Sequence, residues 1–304
     1  MRPRHTDAVP GFVVGVDRGR YTCMVGERRV TAMRARELGR KSVVVGDRVE
    51  IVGDTSGRPD TLARIVRITP RRSVLRRTAD DDDPTERVIV ANADQLVIVS
   101  ALADPPPRFG FIDRCLVAAY DADVTPLLCL TKADLSGPEP VLDYYSDLSL
   151  EYVTTRQDRD PAEVRSRLID QVSVLVGHSG VGKSTLVNQL VPGAGRSVGV
   201  VSAIGKGRHT STSVVALPLP GGGWIVDTPG VRSFGLAHVS PATLLHGFRD
   251  LAAGAAECPT DCDHTVEQGE CSLDDWVAAG NADLRRLESY RRLLASRTGE
   301  EPPG

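Results

Sequence analysis

Gly177-His-Ser-Gly-Val-Gly-Lys-Ser184 sits between Val172-Ser-Val-Leu-Val176 and Thr185-Leu-Val-Asn-Gln-Leu190. An apolar run of the kind found in buried strands meets a glycine-rich turn, and a helix-forming run follows. GxxxxGK[ST] in that setting is the phosphate loop of nucleotide-binding α/β proteins. Glycines let successive backbone N–H groups curl round a phosphate, and the start of the helix adds its positive end. Gly177, His178, Ser179, Gly180, Val181, Gly182 and Thr185 are therefore candidate nucleotide-binding positions. Lys183 is placed to neutralise β and γ oxygens, and the Ser184 hydroxyl to ligate Mg²⁺. The chain has four lysines against 33 arginines. A lysine kept here answers a geometric demand that a guanidinium does not meet.

Downstream, Asp227-Thr-Pro-Gly230 follows the short apolar run Trp224-Ile-Val226. An aspartate at a strand end at this distance suits a second Mg²⁺ anchor, and Gly230 can offer its N–H to a γ-phosphate. Between the two elements lies Gly205-Lys-Gly-Arg-His-Thr-Ser-Thr212, where Thr210 or Thr212 could close on Mg²⁺. Upstream, Thr131-Lys-Ala-Asp134 follows Pro126-Leu-Leu-Cys-Leu130. It is an NKxD-type element, in which the Asp134 carboxylate accepts from guanine N1 and N2 and the Lys132 stem packs on the ring. Thr131 stands where asparagine is commoner. Lys132, Lys183 and Lys206 thus place three of the four lysines inside these elements. Ordinary GTPases run in the order phosphate loop, switch, DxxG, NKxD. Here the guanine element comes first, so the chain reads as a circularly permuted GTPase.

Further out, the chain divides by texture. Residues 11–16, 20–25, 29–34, 43–52 and 62–68 are short Val/Ile-rich runs separated by Gly and Asp, which predicts a small barrel, an OB-fold or an SH3-like one. Residues 79–86 (ADDDDPTE) read as a linker. After it, continuous apolar runs (88–90, 95–99, 126–130, 172–176) alternate with helical stretches (112–120, 161–169), as in a parallel α/β sheet. The tail from about 238 is mostly helical, interrupted by Cys258, Cys262, His264 and Cys271, which read as a zinc site rather than a disulfide framework. Cys23, Cys115 and Cys129 read as buried thiols. The expected units are 1–80, 81–237 and 238–304.

With 41% hydrophobic and 25% charged residues, the composition excludes collagen, coiled coil and wholesale disorder. No apolar run is long enough for a membrane helix, and MRPRHTDAVPG lacks the apolar core of a secretory signal, so a cytoplasmic protein without a membrane partner is expected. The net charge of −3 hides an asymmetry. Residues 1–78 hold 18 basic and 8 acidic side chains, and the remainder 19 and 32. A basic barrel on an acidic remainder points to a polyanionic partner. Arg28, Arg29, Arg34, Arg36, Arg40 and Lys41 are the candidate RNA contacts, through phosphates more than stacking, because the barrel has few aromatics. In 283–297, Leu284, Leu287, Leu293 and Leu294 are expected on a packed helical face, with the arginines on a solvated one.

These stretches together resemble the ribosome small subunit-dependent GTPase A family. GDRVEIV, ANADQLVIVSA, IDRCLVAA, TKAD, GHSGVGKSTLVN, GKGRHTST, DTPGVRSFGL and CPTDCDH occur in that family's order over about 40–270. The resemblance implies an OB-fold, a permuted GTPase domain and a helical domain holding one structural zinc. It also implies GTP hydrolysis to GDP, stimulated by the small ribosomal subunit, during late maturation of that subunit and in contact with its rRNA. The zinc spacing departs from the family's usual one by a deletion and an insertion, with all four ligand types kept. Val153-Thr154-Thr155 stands where Ser-Ala is expected beside the guanine. Val231 follows Gly230 where Ras-like proteins carry the glutamine that orients water, so slow turnover of the isolated protein is expected. His209 is the candidate replacement. A monomer is expected. Two other readings stay open: a permuted GTPase serving another RNA or the large subunit, and an RNA-binding module that uses GTP only as a structural ligand.

Overall fold

The computed structural model describes residues 5–39, 43–78, 86–194, 214–228, 235–265 and 271–298. Five strands form the N-terminal barrel: β1 (Val9–Asp17), β2 (Arg20–Val25), β3 (Arg28–Arg34), β4 (Arg48–Gly53) and β5 (Ala63–Ile68). They run in the order β1-β2-β3-β5-β4, and β4 pairs back onto β1 to close the ring. The β3–β5 pair is parallel and the others antiparallel. This is the OB arrangement, which settles the choice between the two barrels. Period-two alternation puts Val13, Tyr21, Cys23, Val30, Val49, Ile51 and Ile65 inside, all buried. Burial pushes the Cys23 thiol up to about 12, so it stays an inert packing group.

The second region has β8 (Gln95–Ala101), β9 (Thr125–Thr131), β10 (Tyr152–Thr154), β11 (Val172–Val176), β12 (Val215–Pro218) and β13 (Trp224–Asp227). Their order is β10-β9-β8-β11-β13-β12, parallel except for the β12–β13 pair. All seven residues of β8 are buried, as its unbroken apolar run predicts for a strand covered on both faces. Leu96 and Ile98 pack with α1 (Phe109–Asp121) on one face. Val97, Val99 and Ala101 pack on the other with α3 (Ala162–Leu168) and α4 (Lys183–Leu190); α2 (Glu139–Tyr144) lies between β9 and β10. Helix α1 buries Phe111, Ile112, Leu116 and Val117. Each such side chain contributes roughly 1.5–3 kcal/mol.

The barrel is joined to this sheet by hydrogen bonds. β1 pairs with β12 at Gly15 and Val215, and Phe12 packs on Trp224 with ring centroids 5.1 Å apart. A second joint lies at Gly46-Asp47. Asn92 Nδ2 donates to the Gly46 carbonyl at 2.9 Å, and Arg71 clamps the fully buried Asp47 carboxylate at 2.7 and 2.9 Å. Gly46 has φ +90, and a Cβ there would fall 1.9 Å from the Ala91 carbonyl oxygen. Only glycine fits on both counts. The GDRVEIV and ANADQLVIVSA stretches are thus the two sides of one joint.

The structure revises two sequence expectations. The run at 88–90 lies in β7 (Arg87–Ala91), which pairs antiparallel with β6 (Val74–Arg77) instead of joining the parallel sheet, so the acidic stretch 79–86 joins two paired strands. On the C-terminal helix α8 (Leu284–Thr298), Leu287, Leu293 and Leu294 pack as expected, but Leu284 faces out and Arg286 faces in. Leu284 is 56% exposed, whereas Arg286, Leu287, Ser289, Tyr290, Leu293 and Leu294 are buried. Two buried carboxylates account for the inward Arg286. The Arg286 guanidinium reaches Asp113 of α1 at 2.6 Å and Asp250 of α6 (Arg249–Ala255) at 3.1 Å, under the Phe248 ring at 4.4 Å. Ser289 Oγ and Tyr145 OH also donate to Asp113, at 2.5 and 3.0 Å. Burial pushes the Asp113 carboxyl up, while the Arg286 charge and these hydroxyls pull it back. This cluster pins α6 and α8 to α1; α5 (Pro241–His246) and α7 (Ser272–Ala278) complete the C-terminal helices.

Candidate functional site

The sequence-predicted phosphate loop spans the gap between β11 and α4. Gly180 and Gly182 have φ +84 and +90, the left-handed conformation glycine adopts without strain. At Gly177 a Cβ would stand 2.6 Å from the Val99 carbonyl oxygen of the neighbouring strand. Val181 is buried and anchors the loop, while Ser179 and Gly180 are exposed at its crest. Lys183, Ser184 and Thr185 form the first turn of α4, where backbone N–H groups lack helical partners. The His178 ring packs on Phe111, centroids 4.1 Å apart, which leaves its backbone N–H as the group it can turn to a phosphate. Burial, then the Arg108 charge, lowers the His178 imidazole below its ordinary value.

Asp227 ends β13, adjacent to β11, and its Oδ1 lies 2.5 Å from Lys183 Nζ. The strand register forces this meeting, since Leu175 of β11 pairs directly with Asp227. Thr228 Oγ1 then donates to the Leu175 carbonyl at 2.8 Å, tying the start of the DTPG stretch to the same strand. Gly230, His209, Thr210 and Thr212 lie outside the described residues.

The guanine element follows β9. Thr131 is its last residue, and Asp134 is exposed beyond it. Thr131 Oγ1 donates to the Val181 carbonyl at 2.5 Å, so this element and the phosphate loop are directly bonded. Lys132 Nζ donates to the Asp104 carbonyl, in the loop between β8 and α1. The Val153–Thr155 stretch runs alongside. Thr155 N donates to the Leu130 carbonyl at 2.8 Å, and Ala133 N donates to the Thr155 carbonyl at 3.1 Å. Three chain-distant elements therefore meet at the carboxyl ends of β9, β11 and β13, the usual ligand edge of an open parallel sheet.

The Cys/His cluster assembles separately. The ligand atoms of Cys258, Cys262, His264 and Cys271 all lie within 4.8 Å of one another. Cys258 Sγ is 3.9 Å from Cys271 Sγ, and His264 Nδ1 is 3.6 Å from Cys262 Sγ and 3.8 Å from Cys271 Sγ. A zinc ion with bonds of about 2.3 Å to sulfur and about 2.0 Å to nitrogen sets tetrahedral edges of roughly 3.5–3.8 Å. The donor set fits that ion in chemistry and in spacing. Arg291 of α8 holds the cluster from behind. Its Nε donates to the His264 carbonyl at 3.1 Å, and it pairs with Asp274 at 2.7 Å.

On the barrel, Arg28 and Arg29 open β3, Arg34 closes it, and Arg36 lies in the short 3₁₀ turn Arg36–Leu38. Arg28, Arg29 and Arg36 are exposed and Arg34 is half-buried. None of the four has an ion-pair partner among the described residues, unlike Arg58, Arg67 and Arg71, which pair with Asp54, Glu50 and Asp47. Arg40 and Lys41 lie outside the described residues.

Known proteins share this chain's sequence and fold. The family model described as RsgA GTPase matches residues 68–237. The chain belongs to the RsgA GTPase family. It is 36% identical over 307 residues to the small ribosomal subunit biogenesis GTPase RsgA of Chlorobaculum parvum, covering 95% of this chain and 98% of that one. The corresponding Azotobacter vinelandii protein is 40% identical over 265 residues, covering 84% and 75%. The crystal structure of YjeQ from Thermotoga maritima superposes with a TM-score of 0.74 at 26% identity, over 97% of this chain and 100% of that one. The RsgA GTPase match begins at Ile68, where the barrel's last strand ends.

Sequence reasoning missed two parts of this site. The first is the loop after β8, whose Asp104 carbonyl receives Lys132 and whose Pro105 abuts Gly180. Its three consecutive prolines, 105–107, are the only signal it gave. The second is the Asp113–Arg286 cluster, whose members lie 173 positions apart and carry no local signature. Among the described residues, no helix is long and apolar enough to cross a membrane.

Proposed function

We propose that this protein binds GTP with Mg²⁺ at the β9–β11–β13 edge and hydrolyses it to GDP and phosphate. We further propose that it does so on the small ribosomal subunit, in that subunit's late maturation. The observation that carries the reading is the Lys183–Asp227 pair, 2.5 Å apart in the crook of a glycine loop that is itself bonded to the TKAD element. Cation and carboxylate hold each other where the two halves of a magnesium–triphosphate would lie. With substrate present, Lys183 turns to the β and γ oxygens. Asp227, the Ser184 hydroxyl and Thr210 or Thr212 would hold the magnesium, which would neutralise phosphate charge. Gly177–Thr185 and Gly230 supply backbone donors to the phosphates.

Asp134 reads the base. A carboxylate accepts from both N1–H and N2–H of guanine, and adenine offers no such pair. Asp134→Asn exchanges one acceptor for a donor. GTP affinity should fall by about a hundredfold or more, and xanthosine triphosphate should bind better than to the unaltered protein. Competition of the two nucleotides for a fluorescent GDP analogue measures both.

The relatives are named for small-subunit biogenesis, and Arg28, Arg29, Arg34 and Arg36, with no ion-pair partner among the described residues, give the barrel a face suited to rRNA phosphates. Arg40 and Lys41 extend it in sequence. The protein works in the cytoplasm as a monomer. Its three units are the barrel region 1–80, the permuted GTPase region 81–237 and the helical remainder 238–304. His209 stands in for the missing water-orienting glutamine, so turnover is slow until the subunit engages it.

Cys258, Cys262, His264 and Cys271 hold one structural zinc, which supplies cross-linking and no chemistry at the GTP site. Elemental analysis should give one zinc per chain. Chelation should release hydrogen-exchange protection around 258–271 before α1 and α8 lose theirs, because the Arg286 cluster holds those helices independently.

The deciding experiment is phosphate release from GTP by the protein alone, with small subunits and with large subunits. Strong stimulation by small subunits alone supports the reading. Stimulation by large subunits would reassign the partner, and none by either would leave a binding module.

A further inference from the structure

Thr131 carries one hydroxyl proton, and its surroundings commit that proton. Oγ1 lies 2.5 Å from the Val181 carbonyl oxygen and 3.4 Å from the Ser100 carbonyl oxygen. Both neighbours can only accept, so the hydroxyl donates to them and has nothing left to give. The residue is 4% exposed, so water does not relieve the constraint. Its neighbour Lys132 has its ammonium on the Asp104 carbonyl. A guanine seated with N1–H and N2–H on Asp134 presents acceptors, N7 and O6, along its other edge. An amide side chain at position 131 would hold two N–H donors, one for the Val181 carbonyl and one for the base. A threonine hydroxyl holds one.

We infer that this protein reads guanine from the Asp134 edge and makes no side-chain hydrogen bond to N7 from the TKAD element. Thr131 is a positioning residue: it fastens the phosphate loop to β9 and does not touch the base. The site therefore accepts purine triphosphates altered at position 7, a tolerance that an asparagine there would remove. The inference rests on the reading of Asp134 as the guanine receptor, and the test separates the two.

The test compares equilibrium binding of GTP, 7-deaza-GTP and inosine triphosphate to the full chain and to Thr131→Asn and Thr131→Val. In the unaltered protein 7-deaza-GTP should bind within threefold of GTP, while inosine triphosphate, lacking the 2-amino group, should bind at least tenfold more weakly. Thr131→Val should weaken GTP and 7-deaza-GTP equally, by about tenfold, because the Val181 carbonyl loses its donor. Thr131→Asn should separate them, making 7-deaza-GTP the weaker ligand. A purely structural role for Thr131 would not move that ratio. If 7-deaza-GTP binds the unaltered protein more than threefold worse than GTP, the inference is overturned whatever the variants do. If inosine triphosphate binds as well as GTP, the Asp134 reading fails first and takes the inference with it.

Discussion

Lys183→Ala should reduce subunit-stimulated GTP turnover by about 10²–10³-fold, the cost of removing one fixed donor from developing transition-state charge. The position explains the size of the effect. Lys183 opens α4 directly behind Gly182, so its ammonium is aimed by a loop whose glycines admit no other path. Its present partner, Asp227, is 4% exposed and cannot turn to bulk water for relief. Removing the ammonium therefore withdraws a phosphate ligand and also takes a cation from a buried carboxylate. Lys183→Arg should lose most of the activity too, since a planar fork does not replace a compact ammonium in so tight a loop. Single-turnover hydrolysis on small subunits checks this, with thermal melts to show that the variants fold. Turnover within threefold of the unaltered protein would show that Lys183 is not the phosphate ligand.

Arg286→Met is expected to lower stability by about 3–5 kcal/mol, the usual result of breaking a buried ion pair from one side. Asp113 and Asp250 would remain in the core without their cation, and α8 would lose its fastening to α1. The sign of the pH dependence follows. Burial already pushes the Asp113 carboxyl above its ordinary value, and the Arg286 charge opposes that push. Without Arg286 the folded-state value rises further above the unfolded one. The folded variant then binds the extra proton, and its stability is greatest at low pH and lost as pH rises through the raised value. The deficit against the unaltered protein should be smaller at pH 5 than at pH 8, in urea unfolding at both. Replacing Asp113 and Asp250 together with Arg286 by apolar residues should recover much of the loss. A deficit below 1 kcal/mol at pH 8 would mean the cluster is not what fastens the tail.

The two variants probe parts of the molecule that differ in how plainly the sequence announces them. The phosphate loop, TKAD, DTPG and the Cys/His cluster are local patterns, because phosphate, guanine and zinc each demand fixed residue types at fixed spacing. The barrel was legible from the alternation of its strands, but its OB closure was not, since β3–β5 and β1–β4 pairing links segments far apart. β6 was invisible because its four residues, Val-Leu-Arg-Arg, have no alternation of their own and take it from β7. On α8 the placing of every arginine on the solvated face failed for a physical reason. Counting leucines as the packed face assumes that arginine seeks water, and Arg286 instead finds two carboxylates in the core. Thr131 carried half a message. The sequence shows an asparagine replaced, and only the structure shows where its hydroxyl proton goes.

The seam between β1 and β12 bears on how the protein can be cut apart. A GTPase fragment beginning after Ile68 would keep every nucleotide-binding element yet uncover the outer edge of β12 and the Trp224 ring that Phe12 covers. A bare edge strand with an aromatic beside it is a template for pairing with another copy. In this chain the barrel is also an edge guard, and its loss would appear as insolubility before it appeared as lost RNA binding.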